Sequence, residues 1–111
     1  MIKIVNKYKE PNHIYCGRGS ALGNPYPITK LASRDLVCDK YITWFYEHVD
    51  SDNFLSLIKS DEVLNPQMTM LRTLFKEVKK RDINLGCFCA PKRCHCETIK
   101  EFLELQLNKE Y

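Results

Sequence analysis

Four of the six cysteines in this chain fall within ten residues, Cys87-Phe88-Cys89-Ala90-Pro91-Lys92-Arg93-Cys94-His95-Cys96. Thiols at that density constrain the fold. Whatever forms must gather them around a metal ion, activate one as a thiolate, or bury them as small apolar side chains. Disulfides within the run are a poor solution, because Cys87 with Cys89, and Cys94 with Cys96, are two residues apart, and neither a strand nor a helix presents such sulfurs in bonding geometry. Met1 to Lys7 lacks the apolar run and cleavage site of a secretory signal, so a reducing cytosol is the expected compartment.

A chain of 111 residues suits one domain, residues 1–111, with a core of its own. Its hydrophobic fraction of 44% and charged fraction of 28% are those of an ordinary soluble protein, and no stretch is apolar enough to cross a bilayer, so no membrane is expected as a partner. The net charge of +3, with acids interspersed among the bases, argues against a surface that grips many phosphates. Nucleic acid is therefore an unexpected partner, whereas a local patch for a small anion remains compatible. Lys79-Lys80-Arg81 reads as the solvated, cationic end of a helix.

Periodicity orders the rest. Residues 2–8 and 13–17 read as short strands around a Glu10-Pro11-Asn12 turn, which would make a hairpin. Gly17 to Thr29 holds three glycines and two prolines and reads as a loop. Ser33 offers an N-cap for a helix reaching about Val49, with Val37, Tyr41, Trp44, Phe45 and His48 at helical spacing. A shorter helix is expected from Asp52 to about Ser60. Asn65-Pro66 opens another, whose buried stripe would be Met68, Leu71, Leu74, Phe75 and Val78. Ile83 to Cys89 alternates as a strand, pointing Cys87 and Cys89 to the same face. A last helix from about Cys94 would bury Ile99, Phe102, Leu103 and Leu107.

This order predicts an α/β fold: a small sheet with a parallel strand pair, and helices packed against it in a single compact domain. The glycine-rich loop follows one strand and the cysteine run another, with helices between. A parallel crossover would bring both loops to the same carboxyl edge, where ligand sites of open α/β sheets lie.

The cysteine run supports three readings. As a metal site, Cys87, Cys89, Cys94 and either His95 or Cys96 supply soft ligands for Zn2+, although the spacing is tighter than in the common two-knuckle zinc modules. As a reactive site, Cys94 or Cys96 in the first turn of a helix, beside Lys92, Arg93 and His95, would be favoured as a thiolate. Cys94 would then be the nucleophile and His95 the acid or base. Gly17-Arg18-Gly19 and free N–H groups of that helix would hold a phosphate or carboxylate, with Asn24, set between Gly23 and Pro25, reading a hydroxyl or base edge. As core, Cys16, Cys38, Cys87 and Cys96 would be small buried side chains, Cys38 beside Val37 most clearly. Trp44, Tyr41 and Phe45 read as packing, and His13 has no evident partner.

The pattern Ile14-Tyr15-Cys16-Gly17-Arg18-Gly19, Leu22-Gly23-Asn24-Pro25, Tyr41 with Trp44, and Leu85-Gly86-Cys87-Phe88-Cys89-Ala90-Pro91 with Cys94-His95 resembles the domain-of-unknown-function family numbered 4326. The resemblance covers nearly the whole chain and implies a shared fold and a shared site. It departs at Cys96, where family members usually carry glycine. It also implies a bacterial or phage-infected cytoplasm, with nucleotide metabolism or interference with host defence as contexts. The resulting expectation is a pocket between the glycine-rich loop and the cysteine cluster that binds a small anionic, nucleotide-derived molecule and processes it with Cys94. The alternative is a non-enzymatic zinc module that binds protein or nucleic acid.

Overall fold

The computed structural model describes residues 1–88 and 92–110. Its elements run in the order β1 (Ile2–Asn6), β2 (Ile14–Tyr15), α1 (Arg34–His48), α2 (Phe54–Leu57), α3 (Pro66–Lys80), β3 (Ile83–Cys87) and α4 (Cys96–Glu110). None of these helices is long and apolar enough to cross a membrane.

The sheet has the order β1-β3-β2, and both outer strands run parallel to the central β3. The expected parallel pair is present, but the hairpin between the first two strands is not. β1 pairs with β3 from Ile2↔Ile83 to Asn6↔Cys87, and β2 pairs on the other side through Ile14↔Leu85 and Tyr15↔Gly86. The seven residues from Lys7 to His13 carry the chain across β3. So short a connection suffices because β2 starts only two rungs back from where β1 stops, so no helical crossover is needed. Lys7 N–H donates to the Cys87 carbonyl at 2.9 Å as the chain begins to cross, and Asn6 Oδ1 accepts from Tyr8 N–H at 2.9 Å to turn it. His13 then lies directly on the middle strand: a Cβ at Gly86 would sit 2.2 Å from its ring. His13 therefore has both a packing partner and, through Nδ1–H to the Glu10 carbonyl at 2.6 Å, a hydrogen bond.

The helices begin where their caps dictate. Ser33 Oγ accepts from Leu36 N–H, and Asn65 Oδ1 from Met68 N–H at 2.8 Å with Pro66 in the first helical position. Asn65 also donates to the His48 carbonyl at 2.7 Å, tying the start of α3 to the end of α1. All five residues of the expected α3 stripe are buried. In α1, Val37, Tyr41 and Phe45 are buried while Trp44 and His48 are half-buried, their rings 4.6 Å apart. α2 is shorter than expected. α4 starts two residues late and buries Ile99, Phe102 and Leu103; Gln106 is buried too, donating to the Ser51 carbonyl at 3.1 Å, while Leu107 is only half-buried.

α4 packs on β1 and β3, with α2 and α3 against its flank. Phe54 meets Phe75 and Phe102 edge-on, with ring centroids 5.6 and 4.9 Å apart, and Phe102 meets Phe45 at 5.4 Å. Each such side chain contributes about 1.5–3 kcal/mol by leaving water, which anchors the sheet from one side. Because β2 and β3 are parallel, the glycine-rich loop and the cysteine run leave the sheet at the same edge, as the sequence implies.

Candidate functional site: a thiol cluster beside an arginine-lined cleft

The loop after β2 is rigid by construction. Gly23 packs so closely on the Gly17 peptide that a Cβ there would lie 2.4 Å from the Gly17 oxygen. Tyr15 hydroxyl donates to the Arg18 carbonyl at 2.8 Å, and the buried Tyr41 hydroxyl to the Leu22 carbonyl at 2.7 Å. Burial, with nearby thiols adding, pushes the Tyr41 phenol far above its ordinary range. The Arg18 guanidinium folds back on its own loop, donating to the carbonyls of Asn24 (2.5 Å) and Tyr26 (2.7 Å). Asn24 is buried with both ends of its amide engaged: Nδ2 donates to the Val37 carbonyl at 3.1 Å, and Oδ1 accepts from Tyr26 N–H at 2.9 Å. An unmade bond at such a site costs about 1–3 kcal/mol, so Asn24 joins the loop to α1.

The cysteines converge from three directions. Cys87 ends β3, Cys94 precedes α4 and Cys96 opens it; all three are buried. Their sulfurs lie within 4.8 Å of one another, Cys87 and Cys94 at 3.1 Å, and this trio has the donors and spacing to hold a metal ion. Cys16, just past β2, is also buried beside this trio, and Cys16, Cys87 and Cys94 all act on the Cys96 thiol. These neighbouring thiols, and then burial, drive the Cys96 thiol strongly upward. The Cys94 thiol is pushed up to about 12, first by its hydrogen bond with Cys87 and further by burial. This is the opposite direction from a helix-start thiolate. The Glu97 carboxylate accepts the Cys94 N–H at 3.0 Å and so occupies an anion position at the start of α4.

His95 borders the trio, its Nε2 3.9 Å from the Cys96 sulfur, without joining it. Its Nε2–H donates to the Cys16 carbonyl at 2.5 Å, its ring meets Tyr41 edge-on at 5.1 Å, and burial lowers its pKa, favouring the neutral ring. Of the expected metal ligands, Cys87 and Cys94 therefore belong to the described cluster, Cys96 takes the place open to either it or His95, and Cys89 lies outside the described residues.

Loop and cluster do meet. A narrow cleft of about 40 Å³ lies between them, and Arg18, Arg34, Arg93, Phe88, Cys94 and His95 form much of its wall. Gly17 and Asn24 also border it, whereas Gly19, Gly23, Pro25 and Lys92 do not. Arg93 is held by Asp39 at 2.8 Å and Asp35 at 3.1 Å, which raise its pKa further. Arg34 donates to the Arg93 carbonyl at 3.3 Å. Sequence reasoning missed Arg34, since nothing in a residue after an N-cap tells which way it points. It also treated Cys16 only as core, although a cysteine immediately after a strand parallel to one ending in Cys87 was a usable signal. A wider groove of about 630 Å³ along residues 58–64 and α3 mixes Lys59, Asp61, Glu62, Arg72 and Lys76 and converges on no chemistry.

Fold and site together define a small parallel α/β domain with a buried thiol cluster and a basic cleft at the carboxyl edge of its sheet. Residues 3–105 match the domain of unknown function DUF4326, and the chain belongs to that family. It is also 28% identical over 99 residues to the "uncharacterized 12.4 kDa protein in nrdA-td intergenic region" of Enterobacteria phage T4, an overlap of 89% of this chain and 74% of the phage protein. No solved structure matches it.

Proposed function

We infer that this domain binds a small anionic molecule, nucleotide-derived, by seating its acid group in the cleft between the glycine-rich loop and the cysteine cluster. The observation that carries this reading is a pair of guanidinium groups without counter-charge. Among the described residues neither Arg18 nor Arg34 pairs with a carboxylate, and both line the cleft. Forked donors on a recessed wall concentrate and orient an oxyanion. The space has room for a few waters or one acid group, so the remainder of a ligand would extend over Ile28 and Phe88, whose side chains are largely exposed at its mouth. The Phe88 ring lies 5.5 Å from that of Tyr8 and 6.1 Å from that of Tyr15, with Lys7 Nζ 4.1 Å over it, so a base resting there would share these rings with a cation. Cys94 and His95 serve in this reading as walls of the cleft, with burial holding the His95 ring neutral.

The test is a thermal-shift comparison of inorganic phosphate, nucleoside phosphates, sugar phosphates and uncharged nucleosides on wild type and Arg34→Ala. A ligand at one hundred times its Kd adds about 2.7 kcal/mol of stability. Phosphorylated compounds should raise Tm in wild type and lose that effect in Arg34→Ala. Equal shifts from uncharged nucleosides, or none from any acid, would refute the reading. A metal-stabilised module is the second reading, favoured by the buried trio of sulfurs.

A further inference from the structure

We propose that Cys16 joins Cys87, Cys94 and Cys96 as the fourth ligand of a closed, four-thiolate zinc site that fastens the carboxyl edge of the sheet. Zinc in sulfur coordination takes a tetrahedron with Zn–S of about 2.3 Å, whose edges are then about 3.8 Å. The trio's sulfurs, all within 4.8 Å of one another, already approximate one face of that tetrahedron. Their surroundings are dry: the four residues are at most 3% exposed. Protonated thiols are weak hydrogen-bond donors, so packing four together satisfies them poorly, whereas a soft divalent ion satisfies all four.

Two independent facts single out Cys16. Register is the first. Ile14 pairs with Leu85 and Tyr15 with Gly86, and Cys16 N–H donates to the Gly86 carbonyl at 3.0 Å, so the next rung places Cys16 beside Cys87 on the same face of the sheet. The second is proximity, because Cys16 is buried beside the trio and is among the groups that push the Cys96 thiol upward. Its backbone is fixed from both sides, by Gly86 through its N–H and by His95 Nε2–H on its carbonyl. Only χ1 is left to adjust. The thiol now donates to the Ile14 carbonyl at 3.6 Å, a weak bond that metal binding would replace, and rotation about χ1 would turn the sulfur toward the open vertex. His95 then acts as a positioning residue that holds a ligand-bearing peptide, the usual office of hydrogen bonds just outside a metal's ligands.

Binding is a simple exchange: four S–H protons leave to solvent, four Zn–S bonds form, and nothing is oxidised or reduced. The ion joins the end of β2, the end of β3 and the start of α4. It holds in place a strand only two residues long. With every coordination position filled by protein, the site is structural, and Cys94 is a ligand in it.

The experiment uses the full chain purified under reducing conditions. Elemental analysis should find one zinc per chain, and X-ray absorption at the zinc edge should find four sulfurs at about 2.3 Å. After cobalt substitution, Cys16→Ser should lose about a quarter of the thiolate-to-cobalt charge-transfer intensity, while Cys38→Ser and Cys89→Ser keep it all. A protein that folds and takes up no zinc, three sulfurs with a lighter fourth ligand, or a loss of one sulfur in Cys89→Ser or Cys38→Ser overturns the proposal. Should Cys16→Ser not fold, wild type, Cys38→Ser and Cys89→Ser decide by themselves, since four sulfurs must persist in all three. Phosphate binding is read separately on the same preparations, so the fate of the ligand reading and that of the metal site are distinguishable.

Discussion

The core between α2, α3 and α4 is closed by hydrocarbon, whereas the carboxyl edge of the sheet is closed by sulfur, amide and guanidinium. In the first region Phe54, Phe75, Phe102 and Leu103 hold together by area, and a loss there scales with the volume removed. In the second, Asn24, Tyr41, His95 and Arg18 hold backbone carbonyls one by one. Stability there depends on whether each polar atom keeps its partner. One small domain is thus tolerant on one side and exacting on the other.

The largest effect should come from the hydrocarbon side. Phe102→Ala removes a ring in contact with Phe45, Tyr46 and Phe54, and should cost about 3–5 kcal/mol, against a total of about 5–15 kcal/mol for a domain of this kind. Urea unfolding followed by circular dichroism measures it. A loss below about 1 kcal/mol would mean that this core readily collapses around a cavity, and the contrast between the two regions would fail. On the other side, Asn24→Ala removes far fewer atoms yet strands the Tyr26 N–H and takes from the Val37 carbonyl the bond that joins the loop to α1. The expected cost is about 1–3 kcal/mol, larger than the lost area alone explains. If the same urea experiment finds no change, water reaches these groups and the edge is looser than its hydrogen bonds imply.

The hydrocarbon side is also the side the sequence makes legible. Asn65-Pro66 and the spacing of Met68, Leu71, Leu74, Phe75 and Val78 define α3 without help from the rest of the chain, because capping and periodicity are local. The hairpin expectation failed because Glu10-Pro11-Asn12 signals that the chain turns and says nothing of which strand it pairs with afterwards. Gly86 could not be understood from its neighbours, since the ring that needs its missing side chain belongs to His13. The cleft was foreseeable from parallel topology, and Arg18, Arg93, Cys94 and His95 do meet there. What composition could not show was engagement. Asn24 borders the cleft, but its amide is bonded to the fold at both ends, and Glu97 holds an N–H at the helix start that seemed free for an anion.

A smaller effect separates burial from hydrogen bonding at Tyr41. Tyr41→Phe keeps the ring in contact with Phe45 and His95 and removes only the bond to the Leu22 carbonyl, for a loss of about 1 kcal/mol. Below about pH 10 the phenol is neutral in both folded and unfolded chains. Above that, the unfolded chain ionises first because burial raises the folded pKa, so stability falls as pH rises. Ultraviolet titration should therefore show one tyrosine that ionises only with unfolding, and Tyr41→Phe should abolish that lagging component. If all six tyrosines ionise together in the folded protein, water reaches the Tyr41 hydroxyl.

The smallest effect tests whether charge at the edge supports the fold or tunes the cleft. Arg93 bridges Asp35 and Asp39, but these carboxylates are 81% and 64% exposed, and exposed pairs contribute only about 0–1 kcal/mol. Arg93→Gln should barely move the urea midpoint, with any shift fading as salt is raised. Neutralising the acids should do something different. Asp35→Asn with Asp39→Asn leaves Arg93 as a third uncompensated guanidinium on the wall that Arg18 and Arg34 already share. Phosphate affinity, read by calorimetry, should then rise by up to about tenfold, equivalent to about 1.4 kcal/mol, and more at low than at high ionic strength. A double variant that loses stability without gaining affinity would assign these charges to the fold and erase the distinction between an edge that binds and a core that holds.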